Sequence, residues 1–322
     1  MRRLSAGLAA GALLLVGTAC GSSDGDSPDA GASSDGVTTV KLGLIPIVDV
    51  APLYLGQKKG FFEKQGLKLE FTSAQGGAAI VPGVASGQFQ FGFSNVTSLM
   101  VAQSNGVPVK AVANGIASTG VRGKDFNGLM VKKDSPVKSA KELEGKKVAI
   151  NTLKNINETA VRQAVREAGG DPDEVELVEM AFDQMPAALD QGQIDAACVV
   201  EPATATIRSQ GGREIASPLI DVAPELTVAM YFTSTQYAQQ HPDVVKKFQD
   251  ATAESLAYAE AHPDEARQIV TTYTKIPASV LEQVVLPKWP AEANRPSIQA
   301  LMKLGEEDGL FKKTPDLDAL LP

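Results

Sequence analysis

The sequence predicts an α/β protein of two lobes that face one cleft. Three observations carry this prediction. Short runs of β-branched and aromatic residues alternate with runs of helical period through most of the chain, which favours mostly parallel sheets. One stretch, Gln75 to Thr97, reads as helix, glycine stop, buried strand, polar turn and the start of a further helix. A looser copy, Asp183 to Thr204, comes about a hundred residues later. In an open α/β sheet, polar turns at the C-terminal strand ends are where ligands bind, so two such units point to two lobes with one site between them.

Val40 to Ile45 reads as the first strand, and its exit, Pro46 to Pro52, leads into a helix carrying Leu53, Tyr54 and Leu55. Gly60 and Gly66 punctuate the next segment, and Lys68 to Phe71 makes a second strand. Gly76 and Gly77 open a helix through Ala78 to Ala85, which Ser86 and Gly87 stop. Phe89 to Phe93 is a strand, and Ser94, Asn95 and Thr97 offer caps to the next helix. Val107 to Val112 is another strand, ending at Asn114 and Gly115. Leu129 to Lys132 is a strand, and Ser139 with Glu142 is spaced as a capping box. Lys147 to Ile150 is a strand with a polar exit, Asn151 to Asn157, before a helix that places Val161, Ala164, Val165 and Ala168 on one face. Val175 to Met180 is a strand. In the second unit, Pro186 suits a first helical turn, Gly192 stops that helix, Ile194 to Val200 is a strand, and Glu201-Pro202 opens a helix. Thr227 to Phe232 is the return strand. His241 and His262 each stand in His-Pro-Asp, an N-terminal helix signature, and read as residues at helix starts. Trp289 lies in a turn before the last long helix, Ser297 to Glu307.

Residues 1–20 read as an export signal. Arg2 and Arg3 precede a short apolar core, Leu8 to Val16, too short to remain as a membrane span. Small residues lead directly to Cys20, although Gly17 stands where a lipobox usually has Leu. The reading is a lipidated Cys20, with a cleaved signal that leaves Cys20 lost or free as the second reading. Residues 21–36 hold Ser, Gly, Asp, Pro and Ala without a large apolar side chain, a composition that does not fold. Such a tether spans roughly 20 Å.

Composition excludes several classes. The formal net charge of −8 argues against a nucleic-acid partner. Two cysteines and two histidines, far apart in sequence, form no metal motif. Cys198 lies in an apolar run and reads as a small hydrophobe.

Several runs, taken together and in order, resemble a known group: DVAPLYLGQKKGFFEKQGLKLEF, GGAAI, SGQFQFGFSN, SAKELEGKKVAI and AALDQGQIDAACVVEP. The chain is similar to the substrate-binding proteins of ABC importers, and among them to the sulfonate, taurine and nitrate binders and the thiamine-pyrimidine-precursor binders. The resemblance covers essentially all of Val37 to Pro322. It implies the type II periplasmic-binding-protein fold, with lobe 1 at 37–127 and 229–322 and lobe 2 at 128–228. It implies capture of a small polar molecule and delivery to a permease and its ATPase. It also implies a lipid anchor on the extracytoplasmic face, a monomer, and no cofactor. Placed residue by residue, the ligand contacts implied in lobe 1 are Val48, Asp49 and Pro52, then Gly76, Gly77 and Ala78, then Ser94, Asn95 and Thr97. Those implied in lobe 2 are Thr152, Asn155, Asn157 and Glu201. Each has a plainer alternative: Asp49 as a cap for its own helix, Asn157 likewise, and Glu201 as a partner of Arg208 or a helix cap. An enzyme resembling the thiamine-pyrimidine synthase is the rival class, but the cysteine-rich run of that enzyme is absent and no His lies near the polar turns. Acidic and amide residues in these turns, with only Lys154 basic, favour a ligand with amine or ring N–H donors over a bare oxyanion.

Overall fold

The computed structural model describes residues 36–322. The export signal, Cys20 and all but the last residue of the tether therefore lie outside the described residues. Ten strands are formed among them: β1 (Thr38–Leu44), β2 (Leu67–Ser73), β3 (Phe91–Asn95), β4 (Val109–Ala117), β5 (Asn127–Val131), β6 (Lys147–Ile150), β7 (Glu176–Glu179), β8 (Ala196–Val200), β9 (Arg213–Ala216) and β10 (Thr227–Ser234). They make two sheets, in the order β2-β1-β3-β10-β4 and β7-β6-β8-β5-β9. In the first, β1 pairs in parallel with β2 and β3, and β10 runs antiparallel between β3 and β4. The second repeats the plan: β6 is parallel to β7 and β8, and β5 is antiparallel to β8 and β9. One strand in each sheet thus opposes the other four.

The inner strands β3, β5, β8 and β10 are buried along their whole length, covered on both faces of their sheets, whereas the edge strand β2 alternates. Phe91, Phe93 and Tyr231 point to one face, where Phe91 stacks on Phe248 of the Pro242–Ala261 helix at 4.0 Å between ring centres. On the other face a Cβ at Gly92 would meet Ile80 of the Gly77–Ala85 helix at 2.6 Å, so glycine lets this helix lie directly on the sheet. The second sheet has its own apolar cluster around Leu129, Val148, Val161 and Cys198. Two crossing segments, 118–126 and 217–226, join the sheets and are tied together: Ser118 N donates to Leu226 O at 2.9 Å and Gly123 N to Ser217 Oγ at 2.9 Å.

Three of the departures from the sequence reading have a local physical cause. The strand expected at Phe89 to Phe93 is β3, Phe91–Asn95. Phe89 instead packs against Gly83, where a Cβ would come within 2.5 Å of its ring, and the Gln90 side chain accepts from Lys41 N at 2.8 Å. The strand expected to end at Asn114 and Gly115 runs on to Ala117. Gly115 marks a close backbone approach there, since a Cβ would lie 2.6 Å from Ala229 O. Ser139 does not cap a helix: Ala140–Leu143 is a 3-10 turn without a side-chain cap, and Glu142 Oε2 accepts from Lys138 N. His241 and His262 do stand at helix starts, before Pro242–Ala261 and Pro263–Val270.

Candidate functional site

The turns at the C-terminal ends of β1, β2 and β3 meet those after β6 and β8. Gln75, one residue before the two glycines, donates through Nε2 to Asn151 O at 2.7 Å, and Asn151 Nδ2 returns a bond to Gln75 O at 3.3 Å. Gly76 sits against the second lobe so closely that a Cβ would lie 2.8 Å from Thr152 Cγ2 and 2.9 Å from Asn151 Nδ2. A Cβ at Gly77 would lie 2.0 Å from Ser94 Oγ, so glycine is needed there by close approach within the first lobe. Val48 N donates to Glu201 O at 3.2 Å. Asn95 caps its helix by accepting from Ser98 N at 2.8 Å, and the same oxygen lies 3.4 Å from Ile156 N across the lobes.

In the second lobe the site is an amide network. Asn155 caps the Ile156–Glu167 helix by accepting from Asn157 N and Glu158 N. Its Nδ2 donates to Asn151 Oδ1 at 2.6 Å and Thr152 Oγ1 at 3.0 Å. Asn157 also donates to Asn151 Oδ1, at 2.8 Å, so the capping role open to Asn157 belongs to Asn155. Asn127, at the start of β5, donates to Val199 O at 3.0 Å, while its own Oδ1 is buried without a partner.

The two acidic residues behave differently. Asp49 is 3% exposed, and its Oδ1 has no hydrogen-bond partner. It does not cap the Ala51–Lys58 helix, which has no side-chain cap. Burial pushes its carboxyl up to about 8, its own backbone N–H opposes the rise, and Asp125 adds to it. Its main-chain carbonyl accepts from Trp289 Nε1 at 3.3 Å. Glu201, by contrast, has both oxygens engaged. Oε2 accepts from Ala205 N at 2.9 Å, and Oε1 accepts from Arg208 Nη1 at 3.2 Å and Val285 N at 3.3 Å. Both plainer readings of Glu201 are thus realised, and burial pushes its carboxyl up to about 7 despite these donors. Val48, Pro52, Ser94, Thr97 and Thr152 are buried at the same turns, and Ala78 is exposed.

Gln75, Asn151, Asn127 and the Val285–Trp289 segment also belong to this region, although the sequence patterns did not single them out as site residues. For Gln75 and Asn151 the signal was present, since each stands at a strand exit beside residues expected to touch ligand. Val285 and Trp289 reach the site only through tertiary packing. Two surface grooves, of about 500 and 400 Å³, include none of Asp49, Gly77, Asn95, Asn155 or Asn157. The turns themselves are packed lobe against lobe. Among the described residues no group of three or more metal-ligating side chains gathers, and no helix is long and apolar enough to cross a membrane. Cys198 is buried, and burial pushes its thiol up to about 12, which suits packing and not nucleophilic attack.

Two α/β lobes meeting at the C-terminal ends of their strands define the class: the two-lobed periplasmic-binding-protein fold. The solved alkanesulfonate-binding protein of Xanthomonas axonopodis pv. citri, bound to MOPS, shares it with a TM-score of 0.73 at 16% identity, over 88% of this chain and 98% of that one. More narrowly, the chain belongs to the NMT1/THI5-like family, which matches residues 47–266. It is 23% identical to a putative aliphatic sulfonates-binding protein of Bacillus subtilis, over 73% of this chain and 70% of that protein. It is 26% identical to the taurine-binding periplasmic protein of Escherichia coli, over 66% of this chain and 64% of that protein, under two thirds of its length. A 4-amino-5-hydroxymethyl-2-methylpyrimidine phosphate synthase of Aspergillus parasiticus is 24% identical, over 67% of this chain and 64% of that enzyme.

Proposed function

We propose that this chain is an extracytoplasmic solute-binding lipoprotein that captures a small polar molecule between its lobes and delivers it to the permease of an ABC importer. The convergence of polar turns from two lobes on one region carries this reading, because it is the arrangement that encloses a solute by hinge closure. The lobes divide at 37–127 with 229–322 against 128–228, and the crossing segments act as the hinge. The solute contacts come from Val48, Asp49 and Pro52, from Gly76, Gly77 and Ala78, and from Ser94, Asn95 and Thr97. Across the cleft they come from Thr152, Asn155 and Asn157. Glu201 serves the site by holding Val48 and Val285 in place. A lipid on Cys20 anchors the monomer to the membrane.

The chain acts as a binder and not as a catalyst. Its described cysteine is buried, and both histidines lie at helix starts outside the converging turns. Native mass spectrometry of the full chain purified from its own cells tests the reading. One small-molecule adduct per chain, released unchanged on denaturation, is expected. Steady conversion of that molecule to a product by the purified chain overturns it in favour of the synthase class.

A further inference from the structure

We propose that the cleft takes a cationic amine, with its protonated nitrogen seated against Asp49, and that it does not take an oxyanion. This rests on the solute-binding reading above and names the class of solute.

The first observation is the charge of the site. Among the turns that meet, residues 45–52, 74–78, 94–97, 151–157 and 201, the acidic residues are Asp49 and Glu201 and the basic one is Lys154. Lys154 is exposed. Arg208, the nearest guanidinium to Glu201, is spent on Glu201 and Glu214, at 3.2 and 3.1 Å. A second carboxylate lies close to Asp49: its neighbour Asp125, on the crossing segment, is 1% exposed and accepts from Ser118 Oγ, Thr119 N and Phe126 N. Lys154 is thus the one cation carried by these turns, and it is exposed instead of enclosed.

The second observation concerns the helix starts that an anion would use instead. Free N–H groups at helix N-termini are the usual neutral donors to oxyanions. Here side chains have taken some of them, at three helix starts. Asn95 occupies Ser98 N and lies against Ile156 N, Asn155 occupies Asn157 N and Glu158 N, and Glu201 occupies Ala205 N. Of the helices that begin at these converging turns, Ala51–Lys58 and Gly77–Ala85 have N-termini without a side-chain cap.

The third observation is the demand left over. Asp49 Oδ1 and Asn127 Oδ1 are buried acceptors without donors, the first after β1 and the second at the start of β5. A buried carboxylate oxygen with no partner costs free energy that an added donor recovers. The Tyr231 hydroxyl is likewise unpartnered, and the phenols of Tyr231 and Tyr273, pushed up mainly by burial, lie near enough to Asp49 to feel its carboxylate when it ionises. Tyr54 stacks on Tyr273 at 3.9 Å. A carboxylate beside aromatic rings is a receptor for an ammonium group, through charge and through the ring faces.

Calorimetry on the full chain tests this with named probes: butylamine, benzylamine and 5-aminomethylpyrimidine as cations, and ethanesulfonate and nitrate as anions. At least one cation is expected to bind, and ethanesulfonate to show no heat at millimolar concentration. Asp49→Asn, nearly isosteric, should weaken the bound cation by about ten- to a hundred-fold, the range for a hydrogen bond to a charged group. Binding of ethanesulfonate by the parent, failure of all three cations, or an Asp49→Asn variant that binds the cation as well as the parent does, overturns the proposal. Each of these leaves the solute-binding reading standing, because that reading fails only on catalysis or on lobes that do not close. The selectivity of the parent needs no variant, so a misfolded Asp49→Asn protein does not spare the proposal.

Discussion

Replacing Asp49 by Asn should make the protein more stable as the pH rises, relative to the parent. A carboxyl held near 8 in the fold, against 3.8 for the free group, keeps its proton through neutral pH while the unfolded chain has lost its own. Stability therefore falls with rising pH between those two values, because the unfolded state binds fewer protons. Each unit of difference is worth about 1.4 kcal/mol, so the penalty reaches at most about 4 kcal/mol at pH 7. Asn does not ionise and escapes it. A buried amide brings its own unsatisfied N–H, which takes back about 1–3 kcal/mol; that cost does not vary with pH. The slope is therefore the decisive quantity: the gap between variant and parent should widen by about 3 kcal/mol from pH 5 to pH 8. The groups facing Asp49 do not mimic this. Burial drives the phenols of Tyr231 and Tyr273 upward, out of the window, and Asp125 is common to both proteins. Urea denaturation at pH 5, 6, 7 and 8, without added solute, measures the gap. A gap that stays flat across this range shows that Asp49 is ionised in the fold and refutes the burial argument.

Two further outcomes come from the geometry and the sequence. Arg208→Ala leaves the Glu201 carboxylate, fully buried, without its cation and should cost about 3 kcal/mol. The loss should be smaller at pH 5 than at pH 8, because Glu201, already pushed up to about 7, can take a proton at the lower pH; denaturation at the two pH values reads the difference. Cys20→Ala should move the protein from the membrane to the soluble fraction, and a variant that stays membrane-bound rules out the lipid as the anchor.

Much of the fold was legible because the inner strands of both sheets are covered on both faces, so they appear as short apolar runs. Asn95 and the Gly76-Gly77 pair stood out for the same local reason: caps and close approaches demand particular residues. Strand ends were less legible. Phe89 and Asn114 look like a strand start and a strand end, and only their partners, Gly83 and the 290–292 segment, decide otherwise. Glu201 shows the limit at the site. Its position at a strand exit suits a ligand contact as well as a structural tie, and the backbone N–H of Val285 that engages it lies 84 residues away.

The central claim is that the two lobes close on one solute, and Gly76 gives the most direct measurement of it. Its backbone is extended, with φ −167° and ψ 167°, so Gly76→Ala strains nothing within the first lobe. The new Cβ would instead collide with Thr152 and Asn151 across the cleft. Small-angle X-ray scattering of the full chain, before and after its bound solute is dialysed away, should show the parent expanding as solute leaves. The Gly76→Ala protein should be as expanded as the stripped parent in both states. A parent with the same radius of gyration with and without solute, or a Gly76→Ala protein as compact as the loaded parent, would contradict closure as the mode of binding.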